Sequence, residues 1–279
     1  LQDDKHLQNA DNIVPAVNAA AAAANPALVP TLDKVSQVLT TDDVVKMNAD
    51  VDVQRKGAED VAAAYVADKG LDSGVSGGSG TIVVGGSNFT ESTVLANVYA
   101  DVLKAAGFDA SVREVGSRDL YLKALTEGTE IQAFPEYLAT VTEFLDGDDT
   151  KQVASGDVQK TLDALKPLAE KAGLVFGDPS DAVDQNAFAV TTAFADKLAV
   201  STLSELADAC GDGSLILGGP TECPTRPYCQ IGLEDTYGLK FAGFQEYGDT
   251  GGPLTKAAIQ KGEVSIGLVF SSDGALAQG

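Results

Sequence analysis

Apolar positions in the first seventy residues recur mostly at helical spacing. "DNIVPAV" (residues 11–17) predicts a short strand, followed by an Ala-rich helix through Ala24 that stops at Asn25-Pro26. "PTLDKVSQVLT" (30–40) predicts a second, amphipathic helix. "TTDDVVKMNADV" (40–51) predicts a third, with Thr40 or Thr41 as N-cap and acids in its first turn. "GAEDVAAAYVADKG" (57–70) predicts a fourth, with Gly70 at the C-cap position. These residues are nearly all helix, as at the tail of an α/β protein.

After "DSGVSGGSG" (72–80), a flexible Gly/Ser spacer, the pattern changes. "TIVVGG" (81–86) reads as a buried strand, "ESTVLANVYADVLKAAG" (91–107) as an amphipathic helix and "DASVREVG" (109–116) as a second strand. "SRDLYLKALTEG" (117–128) is then a helix and "IQAFPEY" (131–137) a third strand. Further strands are predicted at "NAFAVTT" (186–192), "SLILGG" (214–219), "FAGFQEY" (241–247) and "VSIGLVF" (264–270). Helices are predicted at "TLSELADAC" (202–210) and "PLTKAAIQKG" (253–262). Strand and helix alternate, which predicts βαβ units in mostly parallel sheets. Two α/β lobes joined near Gln185 to Thr191 fit this order.

Composition narrows the function. The chain has 279 residues, 44% of them hydrophobic, which is ordinary for a folded globular protein. It holds no apolar run of about 18 residues, so no membrane span is expected. Leu1 to Asn9 lacks the basic and apolar regions of a signal peptide. The formal charge of -22 and the absence of a basic patch argue against a nucleic-acid partner. The single histidine, His6, leaves no His-based zinc site and a poor basis for a Ser-His-Asp triad. No metal and no cofactor are expected. Among Cys210, Cys223 and Cys229, a Cys223–Cys229 disulfide is the first choice, with Cys210 as competing partner and three reduced thiols also open. A disulfide suits an extracytoplasmic origin.

"GGSNFT" (85–90) is neither a Walker loop nor GxGxxG. It offers a Gly-rich turn and backbone N–H groups at a helix start, which can receive a carboxylate or another polar head. An ordinary βα turn reads the same way. Glu136 or Glu222 could do acid–base work, but nothing marks a nucleophile with its base, so no catalytic residue is expected.

Several phrases together resemble the substrate-binding proteins of ABC importers for glycine betaine, choline and related osmoprotectants. They are "VVGGSNFTES" (83–92), "IQAFPEYLAT" (131–140), "DQNAFAVT" (184–191), "GLVFSSDGAL" (267–276), "DDKHLQNADNIVPAV" (3–17) and residues 39–71. "GGPTECPTRPYC" (218–229) resembles a variant seen in actinobacterial members. The resemblance implies an α/β, two-lobed fold of the type II periplasmic-binding-protein kind, each lobe a mostly parallel sheet flanked by helices. The order is rotated: "TIVVG" opens the family's chain, whereas here it follows the family's C-terminal helices. The chain therefore reads as circularly permuted, and a Gly/Ser joint there is most simply engineered, as for a biosensor. About nine flexible residues bridge on the order of 15–20 Å. Residues 8–72 are then the C-terminal part of lobe 1, 73–80 the linker, 81–185 the N-terminal part of lobe 1, and 186–279 with 1–7 lobe 2. Leu1 and Gly279 are expected close in space.

The resemblance further implies a small cationic or zwitterionic ligand held in an interlobe cleft by hinge closure, without chemistry. It implies an ABC permease partner, a monomer, and an extracytoplasmic place in the periplasm or lipid-anchored at the cell surface. An α/β enzyme using the same cleft is the alternative, and a scaffold that binds nothing is a third. Carried over by position, the ligand set is Ser87, Asn88, Ser92, Gln132, Tyr137, Thr140, Asn186, Glu222, Arg226, Gln230, Phe270, Asn9 and Asp11. Tyr137 and Thr140 keep the family's residues, and Phe270 sits where a ring is usual. Ser87 stands where Lys is common, Ser92 where Gln is, and Gln132 where Asp is. Asn186 and Asp11 replace tyrosines of betaine binders, and Asn9 a common Pro. The expected site is more polar than a betaine box: either it fits another zwitterion or amine, such as an amino acid or a choline-like cation, or the pocket has been redesigned. Asp11 and Glu222 would face an ammonium, and Asn88, Ser92 and Arg226 a carboxylate.

Overall fold

Among the described residues, nine strands and twelve α-helices form in the order the apolar periodicity requires. The computed structural model describes residues 1–116, 118–147, 152–221, 223–248 and 251–276, apart from the Asp119 side chain. Before the spacer come β1 (Ile13–Asn18), α1 (Ala19–Ala24), α2 (Leu28–Ser36), α3 (Thr41–Asp52) and α4 (Ala58–Asp68). After it come β2 (Thr81–Gly86), α5 (Thr90–Ala106), β3 (Asp109–Glu114), α6 (Arg118–Glu127) and β4 (Ala133–Tyr137). Then follow α7 (Leu138–Asp146), α8 (Val158–Ala172), β5 (Leu174–Phe176), β6 (Asn186–Ala189), α9 (Thr192–Leu198) and α10 (Leu203–Cys210). β7 (Leu215–Gly219), α11 (Gln230–Tyr237), β8 (Phe241–Glu246), α12 (Pro253–Lys261) and β9 (Ile266–Phe270) complete the order.

The chain divides into two compact units. Leu1–Asn9 and Gln185–Ser271 make the smaller, and Ala10–Asp184 with the described residues from Ser272 onward make the larger. The larger unit's sheet runs β3-β2-β4-β1-β5. β2 is parallel to β3 and β4, whereas β1 is antiparallel to both β4 and β5. β1 is buried along its whole length even though it contains Pro15. Proline is normally excluded from such a strand because it lacks an N–H. Here Pro15 sits directly opposite Pro135. The flanking pairs donate, Leu138 N to Asn12 O and Asn18 N to Gln132 O. By the antiparallel alternation the proline pair falls at a non-hydrogen-bonded position, where no ladder bond is lost between these strands.

The core of this unit takes side chains from both sides of the spacer. Leu28, Leu32 and Val61 join Ile82, Val94, Tyr99 and Leu103 in one cluster. Helix α5 gives it more side chains than any other element and is closed by Gly107 at φ 104°. Thr40, rather than Thr41, caps α3, and its hydroxyl and Asp43 form a reciprocal capping box. The second helix starts earlier than its predicted span and stops at Ser36, leaving Thr40 free to cap α3. At the end of α4, Lys69 is the C-cap and Gly70 follows it at φ 65°.

The smaller unit's sheet runs β6-β9-β7-β8, with β6 antiparallel to β9 and the others parallel. Each unit is thus α/β with one antiparallel strand in a mostly parallel sheet. β6 ends at Ala189, short of the predicted Thr192, because the Thr191 hydroxyl accepts from Phe194 N and starts α9. Cys223 and Cys229 are buried and joined by a disulfide, and Cys210 is free. The expected closeness of Leu1 and Gly279 depends on Gly279, which lies outside the described residues, as does Glu222.

Candidate functional site

The chain leaves β2 toward β3 on one side and leaves β4 toward β5 on the other. Where neighbouring strands exit in opposite directions, a crevice opens beyond their carboxyl ends, and α/β sheets bind ligands there. Here the crevice is floored by the turn after β2 and the end of β4, with the start of the antiparallel β1 alongside.

In the turn after β2, Ser87 N donates to Ser92 Oγ at 2.8 Å and Ser87 Oγ donates to Gly116 O at 3.2 Å. Both serines are buried and hold the turn shut, while Asn88 is exposed. One residue before Ser92, the first turn of α5 points Glu91 inward, leaving it 4% exposed. The Tyr137 hydroxyl, at the end of β4, donates to Glu91 Oε1 at 2.6 Å. Asn48 Nδ2, from α3, donates to Glu91 Oε2 at 3.0 Å and to Ser272 O at 2.9 Å. Ser272 Oγ in turn donates to Asp184 Oδ1 at 2.8 Å.

A second branch runs through Glu136. Its Oε2 accepts from Tyr137 N at 3.0 Å and from Arg118 Nη2 at 3.3 Å. Nearby, Thr140 donates from both its backbone N–H and its hydroxyl to Asp11. Tyr121 stacks on Phe134 with centroids 3.9 Å apart, and Arg118 lies over the Tyr121 ring. The result is a connected group of four carboxylates, Asp11, Glu91, Glu136 and Asp184, with the Arg118 guanidinium among them.

Burial opposes so much negative charge. It is the main cause that lifts Asp11 to about 6, with the Thr140 hydrogen bonds and Arg118 pulling back. Burial, then the Glu91 charge, pushes Asp184 up to about 8. Glu91 is raised by burial despite donors from Ser272, Tyr137 and Asn48, and burial with the Glu91 charge raises the Tyr137 hydroxyl. Asp184 therefore holds its proton near neutrality, and a cation brought to it would expel that proton.

Of the residues expected at a site, Ser87, Ser92, Tyr137, Thr140 and Asp11 come together at this crevice, with Asn88 on its exposed rim. Gln132 does not: its Oε1 accepts from Val83 N and its Nε2 donates to Gly128 O, at the far end of β4. In the smaller unit, Asn9 Nδ2 donates to the Tyr228 hydroxyl at 2.9 Å and Asn186 Nδ2 to Tyr228 O at 3.5 Å. Phe270 pairs with Asn186 across the β6–β9 ladder. Gln230 Nε2 donates to Glu234, and its Oε1 is buried without a donor. Arg226 is exposed in the loop between the disulfide cysteines. A cavity of about 220 Å³ beside Asn186, Phe188 and Ser271 is smaller than most ligand pockets. Glu91, Asp184, Asn48, Ser272, Arg118 and Tyr228 were not among the residues expected.

Among the described residues, no group of His, Cys, Asp or Glu is placed to hold a metal, and no helix is long and apolar enough to cross a membrane. Residues 1–68 and 80–278 match the family described as the substrate binding domain of ABC-type glycine betaine transport system. The glycine betaine-binding protein YehZ of Escherichia coli (strain K12) is 26% identical over 203 residues, 70% of this chain. The chain spans 66% of the length of that relative. The crystal structure of a glycine betaine/carnitine/choline ABC transporter is similar in fold, with a TM-score of 0.52 over 71% of each chain and 19% identity.

Proposed function

Because this chain belongs to the family of substrate-binding domains of ABC-type glycine betaine transport systems, we propose that it captures a small cationic or zwitterionic solute and hands it, unchanged, to an ABC permease outside the cytoplasm. Quaternary amines, betaines and amino-acid-like molecules are the candidates. The observation that carries this reading is the group of four carboxylates around Arg118 at the switch point of the larger unit's sheet. A solute's cation would meet Asp11, Glu91, Glu136 and Asp184, and its anionic end would be met by Arg118. Glycine betaine, named for the Escherichia coli relative, is the first solute to test.

Calorimetric titration with glycine betaine, choline, carnitine, proline and amino acids tests this directly. At 100 times its Kd a true ligand stabilises the fold by about 2.7 kcal/mol. Affinity for a cationic solute should rise from about pH 5.5 to about pH 8. Across that window Asp11, near 6, and Asp184, near 8, become available as carboxylates. Binding should release protons within it. Turnover of the solute, or no binding by any of them, would overturn the reading.

We also propose that the chain order is a circular permutation of the family's. Two observations support it: the family match is in two stretches on either side of the Gly/Ser spacer, and residues from both sides build one core. A chain reordered to begin at Thr81 and end at Leu71, with the present ends joined by a Gly/Ser linker, should fold and bind as this one does. Failure of that chain to fold would count against the permutation.

A further inference from the structure

Buried polar atoms stand without partners in the crevice of the larger unit. Glu136 is wholly buried; its Oε2 takes two donors, yet its Oε1 meets none. Asn48 is 5% exposed, and its Oδ1 has no donor although its Nδ2 serves both Glu91 and Ser272. Beside Glu136, Arg118 shows the converse: its Nη2 is engaged and its Nε is buried without an acceptor. Buried polar atoms are rarely left without partners, so each such atom marks a place where one is to be supplied.

Resting on the solute-binding reading above, we propose that the solute carries N–H donors on its cationic nitrogen: a protonated amine, as in an amino-acid-like zwitterion, rather than a quaternary ammonium. A quaternary ammonium presents only methyl groups. It would face Asp11 and Glu136 and return no hydrogen bond. A protonated amine of equal charge fills Glu136 Oε1 or Asp11 directly. Arg118 Nη2 and Glu136 Oε2 are only 3.3 Å apart, so the free Nε and the free Oε1 belong to adjoining groups. One short zwitterion can therefore place its carboxylate on the guanidinium and its amine on the carboxylate beside it. Tyr121 and Phe134 are stacked on each other, and the other two rings at this crevice fit the same conclusion. Tyr137 directs its hydroxyl into Glu91, and Phe89, 6.4 Å from it, is 47% exposed. Two tilted rings, one largely in solvent, make a weak surface for cation–π attraction compared with buried acceptors.

A ladder of four solutes isolates the N–H count: glycine, N-methylglycine, N,N-dimethylglycine and glycine betaine. Charge and carboxylate stay constant while N–H groups fall from three to none. Titrated calorimetrically into the full chain at about pH 7.5, affinity should drop at least tenfold at the last step, where the final N–H is lost. A site built to hydrogen-bond a group discriminates strongly against the analogue that lacks it, whereas an added methyl in an apolar pocket changes affinity far less. If a larger α-amino acid binds and its N-trimethyl derivative does not, the result supports the proposal equally. Glycine betaine binding as tightly as dimethylglycine, or choline binding while no N–H amine does, would overturn it and leave solute capture standing. Absence of binding by any solute tested would instead bring down the capture reading itself.

Discussion

Asp184→Asn should raise the melting temperature at pH 8 and leave it almost unchanged at pH 4. Burial and the neighbouring Glu91 hold the Asp184 carboxyl near 8 in the folded chain, against an ordinary value of 3.8. The folded chain thus keeps a proton that the unfolded chain releases between those values. The stability this group contributes is fully present below about pH 4 and is lost as pH rises toward 8. Every tenfold difference in proton affinity between the folded and unfolded chains is worth about 1.4 kcal/mol. Part of this shift comes from the Glu91 charge and lapses when Glu91 is itself protonated, which makes the effective total smaller than Asp184 alone would give. A gain of about 2–4 kcal/mol at pH 8 follows, roughly 5–10 °C for a chain of this size. Asparagine keeps an oxygen to accept from Ser272 Oγ, so the contact to the segment after β9 survives. Scanning calorimetry at the two pH values measures the difference. An equal effect at both, or a loss at pH 8, would show that Asp184 is not held protonated by its surroundings. The same carboxylate that weakens the empty fold at pH 8 is the one a cation would stabilise, a cost in stability of the kind binding sites often carry.

Strands buried on both faces read as continuous apolar runs, and "TIVVGG" and "VSIGLVF" were legible for that reason. β5 was not, because three residues carry no period. α11 was hidden by Gly232, a poor helix residue kept because a Cβ there would lie 2.0 Å from Pro227 O. The carboxylate group was still less legible. Asn48, Glu91, Asp184 and Ser272 come from four distant places in the chain, and no spacing between them repeats or pairs. Only the fold brings Ser272, after the last strand, to Asn48 on α3. Glu91 looks in sequence like an ordinary first-turn acid at a helix N-terminus. Its burial against Tyr137 is a property of the β2–β4 neighbourhood and not of its own helix.

That neighbourhood depends on a close approach between two residues, and changing them together should give strongly non-additive energies. Gly85 on β2 stands beside Phe134 on β4, next to the Val84–Ala133 pair. A Cβ at Gly85 would lie 2.6 Å from Ile131 Cδ1 and 2.8 Å from Phe134 Cδ2. Gly85→Ala therefore overpacks the junction and should cost about 1–3 kcal/mol. Phe134 is 1% exposed and stacked on Tyr121, so Phe134→Ala should cost about 3–5 kcal/mol by leaving a cavity. In the double variant the new methyl enters space the ring has vacated, with only the flexible end of Ile131 left to move. Alanine at position 85 should then cost about 1 kcal/mol less than it does beside phenylalanine, a coupling well above the scatter of additive pairs. Urea unfolding of the four chains measures it, and energies that simply add would mean the two strands tolerate separation. The functional consequence runs through Tyr137, three residues beyond Phe134 on the same strand. Wedging β2 from β4 at Gly85 should lengthen the Tyr137–Glu91 bond, now 2.6 Å, and weaken solute binding in the single variant. The double variant should recover part of that affinity despite its lower stability.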